Sequence, residues 1–313
     1  MLGVHKQIMT DAQTARAAYS KCYTNEAKIT MQTIVWMSGA LASFCLMAIG
    51  ARELSGDLPI YQTLFFRSLI GLVCVSTVIL LSKEKISIQT EKFGLHNIRN
   101  IFHFAGQYGW FLGIGLLPLA EVFALEFTVP IWTLAIAAIV LGEKITKKKV
   151  ASILLGFLGV LVIVQPKVAI VDTASFIVLA AAICYSISHT ATKSLSSSES
   201  ALSILFYMCL IQLPLGFFLS IGGWSWPVGF QWLWVTLIGL TALTAHYCMA
   251  KAMQYAEVTT VVAIDFLRLP LIGLVGFFLY TEQFEASLIL GGALMLVGNL
   301  IGIYQPVESV HNK

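Results

Sequence analysis

Charge is what this 313-residue sequence has least of. Asp, Glu, Lys and Arg make up 11% of it, where an average soluble domain carries about 25%. With 58% hydrophobic residues, too few polar side chains remain to cover a water-facing surface. Cysteine is scarce and unpatterned. Cys22, Cys45, Cys74, Cys184, Cys209 and Cys248 form no C-x-x-C pair, which excludes a disulfide scaffold, and most lie in apolar runs as small hydrophobes. No His/Cys/Asp cluster has metal-ligand spacing, so neither a metal nor another cofactor is expected. H-E-x-x-H, the helix of a zinc peptidase, is missing, and the phosphate-gripping G-x-x-x-x-G-K-[S/T] loop is missing too, which excludes hydrolysis of ATP by this chain. Residues 1–28 carry mixed charge without an apolar core, which excludes a signal peptide and reads as a disordered tail. The alternation that a lipid-facing barrel needs is absent.

What the sequence does have is length of apolar run. Stretches of about 17–25 residues suffice to cross a bilayer as helices. They recur near 32–51, 60–81, 97–117, 121–141, 149–165, 173–192, 200–221, 230–250, 257–280 and 286–304. The expected fold class is therefore all-α, a polytopic membrane protein with ten transmembrane helices. Lys and Arg in short loops stay cytoplasmic. With both termini inside, the inner segments take Lys6, Arg16, Lys21, Lys28, Lys83, Lys85, Lys92, the run Lys144 to Lys149, Lys193, Lys251 and Lys313. Only Arg52 and Lys167 fall outside, while Arg67, Arg99 and Arg268 lie within or at the edge of spans. Glycines such as Gly109/Gly113, Gly156/Gly159, Gly273/Gly276 and Gly291/Gly292 suit close helix approach.

The chain also repeats itself. Residues 119–166 pair with 256–306, and at an offset of 139 Glu126 falls on Asp265, Glu143 on Glu282 and Gly159 on Gly298. A further one-residue shift aligns Pro130 with Pro270 and Gln165-Pro166 with Gln305-Pro306. Five helices per half is an odd number, so the halves must lie upside down relative to each other. The loops agree: "KITKKK" follows Glu143, whereas "QFEA" follows Glu282 without a basic residue. Inverted repeats are the architecture of secondary transporters, with the substrate site near the midplane.

The Gly-Glu ending and the Gly-rich helix running to Gln-Pro in each half resemble the EamA repeat of the drug/metabolite transporter superfamily. That resemblance implies ten helices in two five-helix inverted repeats and a small-molecule cargo. It divides the chain into a tail (1–30), a first repeat (31–166), a second repeat (172–306) and a C-terminal tail (307–313). The strings "RNIFHFAGQYGWF" and "PLAEVFALEFTVPIW" look most like the bacterial riboflavin-uptake branch. S-adenosylmethionine carriers are similar in outline, and carriers of amino acids and other metabolites share the repeat.

Ions inside spans carry the functional reading. A charge at a span centre costs about 2.5–3.5 kcal/mol on insertion scales, so each needs a partner, a wet cavity or a function. Arg67, deep in the second span, reads either as a cavity cation or as half of a buried ion pair. Glu126 and Asp265 enter from opposite faces and converge. Asp265 and Arg268 are three residues apart, on one helical face, so a local salt bridge explains both. Glu126 has no basic neighbour at i±3 or i±4, and Arg67 is the expected partner. Pro130 and Pro270 are expected to bend their helices beside the cavity. Asn100, His103, Gln107 and Trp110 recur on one face of the third span. They read equally as a wet wall, with Trp110 or Tyr108 stacking on flat cargo, and as interhelical hydrogen bonding. His189 and His246 are expected at the membrane interface, Arg99 to snorkel to the inner surface, and Glu143 and Glu282 to cap helix ends.

Three function classes follow. A secondary transporter in the inner membrane, moving a small polar metabolite by alternating access, accounts for the repeat and the buried ions. An intramembrane enzyme would need a nucleophile beside a base, and Ser186 and Ser188 sit at unhelpful offsets from His189. A non-transporting scaffold would not need so many intramembrane ions. A small-molecule substrate and the bilayer are the expected partners, and nucleic acid is not. The oligomeric state stays open.

Overall fold

The computed structural model describes residues 29–54, 56–82, 88–116, 122, 125–164, 173–280 and 286–303, and all regular elements among them are helices. In the first repeat these are α1 (Ile29–Glu53), α2 (Ile60–Leu81), α3 (Phe93–Leu116), α4 (Val129–Val140) and α5 (Lys147–Val164). The second repeat opens with α6 (Thr173–Ser196), α7 (Ala201–Ser220) and α8 (Gln231–Tyr255). It closes with α9 (Val258–Ile264), a 3₁₀ turn (Asp265–Leu267), α10 (Arg268–Tyr280) and α11 (Ala286–Ile303). The Gln165-Pro166, Glu282 and Gln305-Pro306 landmarks lie outside the described residues.

Eight of the expected spans recur with small shifts at their ends, 60–81 unchanged. The one over 121–141 is an unbroken helix only from Val129, and the one over 257–280 is broken. Six helical runs among the described residues are long and apolar enough to cross a membrane. The surface is that of a protein in lipid. Leu80, Ile139 and Phe230 are more than 80% exposed, whereas Gln62, His96, Asn100 and Gln212 are fully buried. Many large apolar side chains face outward while polar ones are buried beside the apolar core, unlike the surface of a soluble domain. α3 is 24 residues long yet not among the six, because its polar face belongs to the interior.

Packing follows the repeat. Helices at equivalent places in the two halves cross antiparallel. Between α2 and α7, Phe65 meets Gly216 while Gly71 meets Cys209. Between α5 and α11, Gly159 meets Gly291 and Met295 while Gly298 meets Ser152 and Leu155. The exchanged pairs run antiparallel too. Gly106 faces Tyr185 and Gly113 faces Val178 between α3 and α6, and Gly39 faces Cys248 and Gly50 faces Ile238 between α1 and α8. Contacts of this sense require one half to be inverted relative to the other. Glycine is needed at these crossings because a Cβ on Gly159 would lie 2.6 Å from the Gly291 carbonyl oxygen.

The fourth and ninth spans are both interrupted. Turn residues Phe127 and Thr128 precede α4, and the 3₁₀ turn separates α9 from α10. Pro130 and Pro270 do not bend continuous helices, as the sequence suggested. Each sits in the first turn of the helix that restarts after the break, where a missing N–H costs nothing. Glu143 does cap a helix, though of the other repeat. Its carboxylate accepts from the Val258 N–H (3.0 Å) and Thr259 Oγ1 (2.7 Å) at the start of α9, and pairs with Lys149 Nζ at 3.1 Å.

Candidate functional site

The two breaks face each other across a small central cavity of about 60 Å³. Phe127 and Phe266, equivalent at the 139-residue offset, bring their rings to 5.4 Å. The lining comes from equivalent helix pairs. α1 supplies Phe44 and Met47, and α6 supplies Tyr185 and His189. α3 contributes His103, Gln107 and Trp110, and α8 contributes His246 and Met249. The broken spans add Glu126, Phe127 and Pro130 from one half and Asp265 and Arg268 from the other.

At the breaks an arginine sits between two acids. Arg268 Nη2 lies 2.5 Å from Glu126 Oε1 and 3.1 Å from Asp265 Oδ2. The Trp110 indole N–H donates to Glu126 Oε2 at 2.6 Å, so both oxygens of that carboxylate are held. The Arg268 guanidinium also lies over the rings of Phe44 (5.1 Å) and Phe127 (5.7 Å). Asp265 Oδ1 and Arg268 Nε are buried without a hydrogen-bond partner among the described residues. With both acids ionised, two negative charges face one positive charge, and the group is receptive to a cation or a proton.

Arg67 does not meet Glu126. The expected pair is replaced by Glu126–Arg268, while Arg67 lies at the α2–α7 crossing. There its Nη1 donates to Gln107 Oε1 (3.2 Å) and Gln212 Oε1 (3.3 Å). The α3 face is divided. His103, Gln107 and Trp110 reach the cavity, whereas Asn100 accepts from Arg99 (2.6 Å) and donates to the Tyr207 carbonyl (3.3 Å) away from it. Tyr108 is not a cavity ring either. It stacks on Tyr61 at 4.9 Å, and the two hydroxyls are 2.7 Å apart.

Arg99 does not snorkel. It is 2% exposed and donates through Nε to Thr192 Oγ1 at 3.1 Å, because α6 and α7 close over the start of α3. His189 and His246 are not interfacial. Both line the cavity, and the His246 ring packs edge-on against His103 at 4.6 Å. Of the residues missed in the sequence, His246 had a signal, since it stands 139 residues after Gln107. Gln212 had another: like Arg67, it sits four residues before the glycine at the α2–α7 crossing. Tyr185 and Phe44 carried none, being aromatics inside apolar helices.

Comparison with known proteins bears on this arrangement. The model of the EamA-like transporter family matches residues 31–165 and again 172–303. A relative named as an S-adenosylmethionine uptake transporter, from Rickettsia prowazekii, is 22% identical over 91% of this chain and 97% of its own length. One named as a riboflavin transporter, from Vibrio cholerae, is 26% identical over 85% of this chain and 91% of its own. A solved crystal structure superposes with a TM-score of 0.74 at 19% identity, covering 88% of this chain and 96% of that one. That last likeness concerns the fold alone.

Proposed function

Because the chain belongs to the EamA-like transporter family, a multi-pass family of small-metabolite transporters, we propose that it carries a flat heteroaromatic nutrient across the inner membrane by alternating access. The observation that carries this reading is the cavity wall, where Trp110, Tyr185, His103 and Phe127 surround an acid-rich polar group midway between inverted halves. Aromatic side chains offer faces for a planar ring. Glu126, Asp265, Gln107 and Arg268 offer donors and acceptors to a polar tail. Riboflavin, with its tricyclic ring and polyol chain, suits that division, and it is the cargo named for one relative.

In the cycle we propose, cargo entering the cavity competes for the Arg268–Glu126 pair. Breaking that contact frees the two interrupted spans to move, and one bundle rocks against the other. At the lysine-rich end, taken as cytoplasmic along with both termini, Lys149 bridges Glu143 of the first repeat and Glu257 of the second (3.1 and 2.8 Å). Lys193 Nζ holds the Met253 and Ala256 carbonyls there. At the other end, the Gln62 amide donates to the Gly223 carbonyl at 3.0 Å. These ties are the contacts that must alternate.

A second reading, S-adenosylmethionine, is favoured by one observation: two carboxylates face a single guanidinium, and a sulfonium supplies the missing positive charge. The test is uptake by purified protein in liposomes, with riboflavin and S-adenosylmethionine in parallel and intravesicular product analysed for chemical change. Saturable riboflavin accumulation, unaltered and lost in Glu126→Ala, supports the first reading. Accumulation of S-adenosylmethionine alone supports the second, and failure of both rejects this substrate class.

A further inference from the structure

The central cavity accounts for the acids, but two buried guanidiniums lie beyond it with no acid at all. Arg67 is 3% exposed and Arg99 is 2% exposed. Among the described residues, no carboxylate pairs with either. Their partners are neutral: Gln107 and Gln212 for Arg67, Asn100 and Thr192 for Arg99. Gln212 ties the two together, since its amide nitrogen lies 2.9 Å from His103 Nδ1 and 3.4 Å from the Asn100 carbonyl. Two positive charges held in hydrocarbon by amides and hydroxyls alone are incompletely compensated, because a buried charge needs an opposite charge as well as hydrogen bonds.

The geometry of Arg67 says where the compensation goes. Nη1 is used by the two glutamines, while Nε and Nη2 are both buried and meet no hydrogen-bond partner among the described residues. Those two nitrogens form one edge of the guanidinium, the fork that takes an anion through two parallel N–H bonds. Arg67, with Gln212, Ser68 and Cys209, lines a closed seam between α2, α7 and α8. The seam holds no open volume in this conformation, so occupation requires these helices to part. Gly71 and Gly239 line it too, packed against the Cys209 and Ile70 side chains, so the three helices approach closely there.

We propose that the Arg67 fork, supported by the charge of Arg99, is a binding site for a small anion, separate from the Glu126–Asp265–Arg268 group. This goes beyond the cargo reading and does not depend on it. The same chemistry has two sources, a free inorganic anion and an anionic group borne by a metabolite.

The test is thermal unfolding of the purified full chain, without cargo, in sodium chloride, nitrate or phosphate against gluconate at constant ionic strength. A second arm uses acetate and glycine. The expected result is a saturable rise in the unfolding midpoint with chloride, nitrate or phosphate. The half-saturating concentration should increase at least tenfold in Arg67→Lys, which keeps charge but lacks the fork, and the rise should vanish in Arg67→Gln. Arg99→Gln, which leaves the fork intact, should weaken the response and serves if Arg67→Gln does not fold. A response to acetate or glycine alone, lost in the same variants, assigns the site to a carboxylate-bearing molecule. No response to any of these anions, or one undiminished in the Arg67 variants, overturns the proposal. Liposome uptake of cargo scores the transport reading separately, so either can fail while the other stands.

Discussion

At the scale of single residues, the ion pair that joins the repeats is the sensitive point. Removing one partner of a buried pair costs about 3–5 kcal/mol because the other charge is stranded. Arg268→Ala and Glu126→Ala are each expected to lower stability by about that much and to abolish uptake. The double variant Glu126→Gln/Arg268→Gln should be less destabilised than the sum of its singles. Thermal unfolding of the four proteins gives the coupling directly. Trp110→Phe keeps the ring and removes the N–H that holds Glu126 Oε2. A hydrogen bond to a charged group contributes about 1.5–3 kcal/mol, so weaker cargo binding is expected with assembly retained, seen as a raised KM in liposome uptake.

At the scale of elements, the glycine crossings set how closely the repeats approach. A Cβ on Gly159 meets the Gly291 carbonyl at 2.6 Å, and backbone cannot step aside as a flexible side chain can. Gly159→Ala is therefore expected to force α5 and α11 apart and lower the unfolding midpoint. Gly94, at the start of α3, has nothing within 4 Å of its added methyl. There, alanine gains about 0.5–1 kcal/mol of helix preference, so Gly94→Ala should be neutral or stabilising in the same measurement. The breaks before α4 and between α9 and α10 belong to this scale too. Irregular backbone at membrane depth is tolerated where it borders protein or a cavity, and both breaks border the cavity.

At the scale of the whole molecule, the inverted halves and the lysine bias make a claim about sidedness. In cells, a cysteine at Lys148 should react with a membrane-impermeant thiol reagent only after the membrane is opened. A cysteine at Arg52, in a cysteine-free background, should react in intact cells. The opposite pattern would reverse the orientation, and reactivity of both sites from one side would contradict the span order of the first repeat. Glu143→Gln loosens the inter-repeat tie at the lysine-rich end and is expected to increase labelling of a cavity cysteine from that side.

The sequence by itself determined the helical class, the positions of most spans and the duplication. These follow from hydropathy and spacing, which are local, and from self-similarity, which needs no coordinates. It also marked Glu126, Asp265, Arg268, His103, Gln107 and Trp110 as polar groups that must be sheltered. Tertiary structure alone decided which of them meet. The sequence pointed to Arg67 as the cation for Glu126 and left Arg268 to Asp265, whereas in the fold Arg268 meets both acids and Arg67 meets Gln107 and Gln212. Arg99, His189 and His246 were misplaced for the same reason: a residue near a helix end is exposed only if no neighbouring helix covers it. Hydropathy reports how deep a residue lies along its own span, whereas its partners depend on where the other helices lie, and that is settled by packing between segments more than a hundred residues apart.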